Sequence, residues 1–232
     1  MREDHRIVVV DRPGYGWSEC GGRSRDIDTL LEETREALDL VGEQGPYVLI
    51  PHSMAGLEAI HWAQKYPREV VAVIGLDPCT PDAIEVMGEP NWLQIYTMYL
   101  VARLGLTRFM GDSQAAASLP LLKSGDLTGE EKARYLAVFY RNAFSADMLR
   151  EVHHLKRNTA RVSAIEPPAD TPMYFFTSKE QNAAVNGWER AVTGYLKGIG
   201  ISGHASIDTG HYLHYDHAAE IAEGIGAFIG KS

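Results

Sequence analysis

Ser53 is the residue whose setting most invites chemistry. It follows a short apolar stretch, Tyr47-Val48-Leu49-Ile50, introduced by Gly45-Pro46. After it, Met54 to Tyr66 carries Leu57, Ile60 and Ala63 near helical spacing and stops before Pro67. A serine between a buried strand and a helix stands at the tip of a tight turn. Its hydroxyl clears the backbone, and the positive end of the helix lies beneath it. The Met54 N–H would then point to where an oxyanion forms. The same spacing also suits an ordinary helix-capping serine, so the turn alone leaves nucleophile and cap both open. Acyl transfer by serine would further need a base to take the hydroxyl proton and a carboxylate to orient that base.

Pro51-His52-Ser53-Met54-Ala55 resembles the G-x-S-x-G nucleophile elbow of the α/β-hydrolase superfamily, with Pro51 and Ala55 where that pattern has glycines. A second segment, Asp11-Arg12-Pro13-Gly14-Tyr15-Gly16-Trp17-Ser18, is similar to the D-x-x-G-x-G-x-S turn after the fourth strand of many members. Its Gly16 lies 37 positions before Ser53 (53 minus 16), room for one helix and one strand. The resemblance implies a Ser-acid-His chain order, with His211 of Gly210-His211 as general base and the Met54 backbone N–H as an oxyanion donor. Two carboxylates compete for the remaining place. Asp77 ends the sixth strand of the superfamily fold; Glu180 lies in the loop after the seventh. Asp77 is favoured, because Asp is the shorter partner and the Thr177 to Asn182 loop lacks the expected Gly and Asp. Asp77-Pro78 also suits a plain turn, and Glu180 also suits a helix-start acid. His52 is expected on the far side of the turn from Ser53. His214 and His217 are assigned to the start of the closing helix rather than to a metal; no metal and no cofactor is expected.

The elements that would position these groups follow from periodicity. Ile7-Val8-Val9-Val10, Val70 to Leu76 and Met173 to Phe176 read as strands buried in a parallel sheet, and Ala205 to Ile207 as a weak last strand. Asp26 to Val41, Trp188 to Leu196 and Asp216 to Phe228 read as helices. The fold class is therefore α/β, a mostly parallel sheet flanked by helices. Asn91 to Leu106 and Gly129 to Asn158 read as further helices, rich in aromatics such as Trp92, Tyr96, Phe139 and Tyr140. His153-His154 is expected to be a solvated pair. The resemblance implies a helical cap over residues 80–168, inserted into a core of residues 1–79 and 169–232. It also implies about three strands before Ile7 and a His-Gly loop supplying a second oxyanion donor. About six residues precede Ile7, so an N-terminally shortened α/β-hydrolase fold is expected.

Composition narrows the partners. The 232 residues carry a formal charge of −9, which disfavours nucleic acid and anionic membranes as partners. Cys20 and Cys79 are expected to be free thiols. The acidic N-terminus and the lack of a long apolar window suggest neither a signal peptide nor a transmembrane segment, and point to a cytoplasmic protein. The reading that results is a serine hydrolase of a small ester, amide or related acyl substrate. A non-catalytic binding protein of the same fold, and a cofactor-free acyltransferase, lyase or haloperoxidase-like enzyme, remain alternatives. Oligomeric state is not legible.

Overall fold

The computed structural model describes residues 5–109, 119–122 and 127–230. Two compact units result. The first comprises Met1–Val8, Asp26–Gly88 and Leu155–Ser232; the second comprises Val9–Arg25 and Glu89–His154. The second unit's longer segment falls within residues 80–168, and the unit also takes in the glycine turn near the N-terminus.

The first unit is built on a parallel sheet of β1 (Tyr47–Leu49), β2 (Val70–Leu76), β3 (Met173–Ser178) and β4 (Ser202–Ile207), in that spatial order. Each strand that lies inside the sheet opens on a continuous apolar run, as burial on both faces favours. Val73 pairs with Met173 and Leu76 with Phe176, while Met173 faces Ser202 across the next ladder. Helices α1 (Ile27–Leu40), α2 (Ala55–Lys65), α3 (Pro81–Met87), α7 (Lys179–Ala184), α8 (Trp188–Leu196), α9 (Leu213–Asp216) and α10 (Ala218–Ile229) flank it. One core cluster joins Ala72, Ile74 and Leu76 to Phe176, Ile207, Leu213, Ile221 and Ile225.

Helix starts follow local chemistry. The Asp26 side chain accepts from the Thr29 N–H, and Thr80 accepts from the Ala83 N–H with Pro81 in the first turn. Arg35 bridges Glu32 and Glu69, and Lys65 bridges Asp28 and Glu32, tying α1 to α2. Those cations, with the Tyr66 hydroxyl, hold Glu32 down to about 2 against the opposing pull of burial.

Gly56 sets the closest approach to backbone among the glycines of this unit. A Cβ there would meet the Cys79 carbonyl at 2.7 Å and its nitrogen at 2.9 Å. The close packing that the elbow pattern assigns to a glycine at Ala55 thus falls to the next residue. Backbone cannot yield as a side-chain tip can. Gly56→Ala should therefore cost about 1–3 kcal/mol, read as a lowered urea midpoint.

In the second unit, α4 (Trp92–Arg103) and α5 (Gly129–Asn142) precede the first half of α6 (Ala146–Ser163). The expected single helix over Gly129 to Asn158 is interrupted. Phe144 takes a φ of 50°, and Ser145 caps the new start by accepting from the Met148 N–H at 3.1 Å. No residue of α4 or α5 is fully buried, so their aromatics do not form a closed core of their own. His153 is not simply solvated. Its Nε2 lies 2.8 Å from the Tyr96 hydroxyl, and its ring stacks on Trp92 at 4.3 Å.

The glycine turn is held within this unit. Ser18 Oγ donates to the Asp11 carbonyl at 2.7 Å, and the Trp17 N–H donates to the Asp11 carboxylate at 3.0 Å. Gly16 has a φ of 49°, and a Cβ there would overlap that carboxylate. The turn is not preceded by the expected strand. Ile7 to Val10 lie outside any ladder, with Val9 85% exposed. β-branched residues favour extended backbone, but a strand exists only where a neighbour pairs with it. No described residue pairs with these four.

Candidate active site

The residues with chemical potential in the first unit gather at the carboxyl ends of β1, β2 and β4. Pro51 and His52 leave β1 still attached to β2: the Leu76 N–H donates to the Pro51 carbonyl at 2.8 Å, and the Ser53 N–H donates to the Leu76 carbonyl at 3.3 Å. The chain then turns sharply, and Ser53 takes a φ of 54°. For a serine this left-handed backbone costs on the order of 1–3 kcal/mol. The surrounding bonds hold it there. The Ser53 carbonyl accepts from the N–H groups of Gly56 and Cys79, both at 2.9 Å. No described residue accepts a hydrogen bond from the Met54 N–H, which stands at the start of α2.

Asp77 follows β2 directly, also in the left-handed region with a φ of 48°. Its side chain is fully buried. Both carboxylate oxygens are engaged. Oδ1 accepts from the Ser178 N–H at 3.1 Å and from the Trp188 indole N–H at 2.7 Å. Oδ2 lies 2.7 Å from His211 Nδ1. A carboxylate accepts, so Nδ1 carries the proton and Nε2 of the neutral ring is left as the basic nitrogen. His211 comes from the loop between β4 and α9, and its side chain is 26% exposed.

Glu180 is placed differently. Ser178 caps the Gln181 N–H at 3.0 Å and opens α7, so the expected loop is a helix with Glu180 in its exposed first turn. Its carboxylate lies beside Gly210. No described bond joins it to His211.

The Ser53 hydroxyl neighbours the Cys79 thiol, which burial pushes up to about 12. A Ser53–His211 hydrogen bond is absent among the described residues. His52, the neighbour of Ser53 in sequence, packs against His211. Its Nε2 lies 3.0 Å from the His211 carbonyl, and its ring centroid is 4.6 Å from that of His211. Tyr212 stacks on the same ring at 5.2 Å, and His214 meets it edge-on at 5.0 Å. His214 thus faces His52, while His217 pairs with Glu220 at 2.9 Å. Among the described residues no group of three or more ligands could hold a metal. Neither cysteine is in a disulfide; Cys20 is exposed and Cys79 buried.

Burial lowers His52 to about 4, with the neighbouring His211 and His214 rings adding to the effect against the bond to the His211 carbonyl. The sign for stability follows. An unfolded His52 takes its proton near 6.5, the folded one only near 4. Stability is full above about pH 6.5 and falls as pH drops through that window. The loss should reach on the order of 1–3 kcal/mol at pH 4, since the ring keeps some water contact. Urea midpoints between pH 7 and pH 4 should fall less steeply in His52→Gln.

A cleft of about 430 Å³ lined by Glu32, Arg35, Asp39, Tyr47, Trp62 and Glu69 opens elsewhere, at the amino ends of β1 and β2. Arg35 there is already paired with Glu32 and Glu69. Ser53, Asp77 and His211 stand instead at the carboxyl ends, where ligands bind in open α/β sheets.

Sequence reasoning did not point to Ser178, Trp188 or Cys79 as partners in this site. The only signal was position: Ser178 closes β3, Trp188 opens α8, and Cys79 lies two residues after Asp77.

The family model described as the alpha/beta hydrolase family matches residues 2–224. The chain belongs to that family. The uncharacterized protein YbdG of Bacillus subtilis is 37% identical over 74% of this chain and 53% of its own length. A bifunctional esterase/perhydrolase of Acinetobacter calcoaceticus is 30% identical over 35% of the chain and 29% of its own length. The chain therefore spans about half the length of YbdG. Among solved structures, an epoxide hydrolase of Bacillus megaterium superposes with a TM-score of 0.65 at 16% identity, covering 94% of this chain and 81% of the other. A bromoperoxidase of Bacillus anthracis gives 0.65 at 18% identity, covering 94% and 79%. These likenesses show the shared fold. Among the described residues, no helix is long and apolar enough to cross a membrane.

Proposed function

We propose that this α/β-hydrolase-family chain carries a serine hydrolase site for a small ester, amide or related acyl substrate. Ser53 is the nucleophile, His211 the general base and Asp77 the acid that orients it. The reading rests on one observation: a buried, fully engaged Asp77 carboxylate 2.7 Å from His211 Nδ1, in the same unit as a serine held at positive φ. Asp77 fixes the tautomer that leaves Nε2 basic. Rotation of the Ser53 hydroxyl from Cys79 toward Nε2 lets His211 take its proton as Oγ attacks the acyl carbon. The Met54 N–H donates to the oxyanion that forms. His211 then protonates the leaving group, and water attacks the acyl-serine by the same route in reverse.

The esterase named among the relatives supports an acyl substrate, although a shared fold does not by itself transfer an activity. The Ser53 side chain lies by Cys79 with no described bond to His211, which favours a second reading, a binding protein of this fold whose serine is unused. Hydrolysis of p-nitrophenyl acetate separates them. Wild type should turn over the ester and Ser53→Ala should fall to background. Equal rates for the two proteins would remove Ser53 from the chemistry.

A further inference from the structure

His52 is neighbour to the nucleophile in sequence and to the general base in space. Its backbone belongs to the Ser53 turn, and it bridges to Leu76 of β2. Its side chain reaches the β4–α9 loop, where Nε2 lies 3.0 Å from the His211 carbonyl. A carbonyl only accepts, so Nε2 carries the hydrogen and donates it. The two loops are otherwise distant in sequence, with residues 52 and 211 separated by 159 positions. Tyr212 and His214 pack on the ring from the receiving side, limiting the rotamers open to it.

We propose that His52 is a positioning residue: its Nε2–H bond to the His211 carbonyl sets the distance between the base and Ser53. The inference rests on the serine-hydrolase reading above. It adds that the geometry between the two reacting groups is fixed by one side chain within the elbow itself. The Asp77 bond orients the imidazole ring; the His52 bond places the backbone that carries the ring. Misplacing a reacting group by about 1 Å can cost about 100-fold in rate. The ring stays neutral at working pH because burial holds its protonation near 4, so it adds no charge beside the base.

Two substitutions separate the bond from the packing. Gln reaches about as far as the imidazole Nε2 and keeps an N–H donor; Leu fills the space without one. The first readout is the second-order rate constant for labelling Ser53 with a fluorophosphonate probe. His52→Leu should be about 10–100-fold slower than wild type, and His52→Gln should recover most of that loss. The second readout does not need activity. Protein carrying carbonyl-labelled histidine and nitrogen-labelled tyrosine reports the His211–Tyr212 peptide, and Tyr215→Phe removes the signal of His214–Tyr215. The His211 carbonyl resonance should move upfield in His52→Leu and stay near its wild-type place in His52→Gln. An unmoved carbonyl in the Leu variant, or a Gln variant as slow as the Leu variant, would overturn the inference. Absence of labelling in every protein, with the carbonyl shifts as expected, would instead remove the serine-hydrolase reading and leave the tie between the two loops standing.

Discussion

Asp77→Asn should lower the rate of Ser53 acylation by about 10⁴-fold with the fold intact. The expectation comes from how the two oxygens are used. Oδ1 accepts from the Ser178 N–H and the Trp188 indole, and an amide oxygen can replace it there. Oδ2 faces His211 Nδ1 at 2.7 Å, and there an amide would present N–H to N–H. The imidazole must then move its proton to Nε2 or turn away. Either response removes the base that Ser53 needs. The imidazolium formed during attack also loses its counter-charge. Glu180→Gln is the matching control. Glu180 is exposed on α7, and its carboxylate lies by Gly210 rather than by the ring, so its removal should change acylation by no more than a few-fold. Burst kinetics with p-nitrophenyl acetate measure both rates. A small effect at Asp77 with a large one at Glu180 would exchange their roles.

The largest expected effect on stability lies in the second unit. Asp147 is fully buried and accepts from the Gly21 N–H at 2.7 Å. Arg150 pairs with it closely, and the buried Arg25 lies 3.9 Å away. Its neighbour one turn along α6, Glu151, accepts from the Tyr15 hydroxyl at 2.8 Å and pairs with Arg12 at 3.3 Å. The result pushes Tyr15 well above its ordinary range, through burial first and the Glu151 charge second. Whether such a network stabilises relative to an apolar core is a separate matter. Removing Asp147 takes one of two carboxylates from the buried Arg25 and the acceptor from the Gly21 N–H, and breaking a buried pair in this way typically costs about 3–5 kcal/mol. Asp147→Ala should therefore lower the urea midpoint sharply and speed hydrogen exchange at the Gly21 amide. Glu130→Ala removes an exposed pair with Arg134 and should leave both unchanged. A midpoint within error of wild type for Asp147→Ala would contradict the role given to the network.

Much of the sheet was legible because periodicity and burial coincide there. Val70–Leu76 is one apolar run and one strand, and Trp188–Leu196 is a helix over the same residues that its pattern marks. Ile7 to Val10 shows the limit of that reasoning. Four β-branched residues announce an extended segment but cannot supply a partner strand. The break at Phe144 was hidden because a positive φ at a phenylalanine leaves no trace in composition.

At the candidate site, sequence could name Ser53, His211 and two competing carboxylates. It favoured Asp77 over Glu180 on side-chain length and loop composition alone, because the burial and the donors that engage Asp77 lie far along the chain. Trp188 reaches Asp77 across 111 positions and Ser178 across 101. The neighbours of His52 were out of reach for a similar reason. Its ring meets His211, Tyr212 and His214, on a loop 159 positions away.

The most direct measurement is peptide mapping by mass spectrometry after reaction with a fluorophosphonate. The expected result is a single adduct on Ser53, formed at wild-type rate in Glu180→Gln, strongly slowed in Asp77→Asn and His211→Asn, and missing in Ser53→Ala. Folded wild-type protein that takes up no label, or takes it up on another residue with Ser53 unmodified, would contradict a nucleophilic serine at this turn.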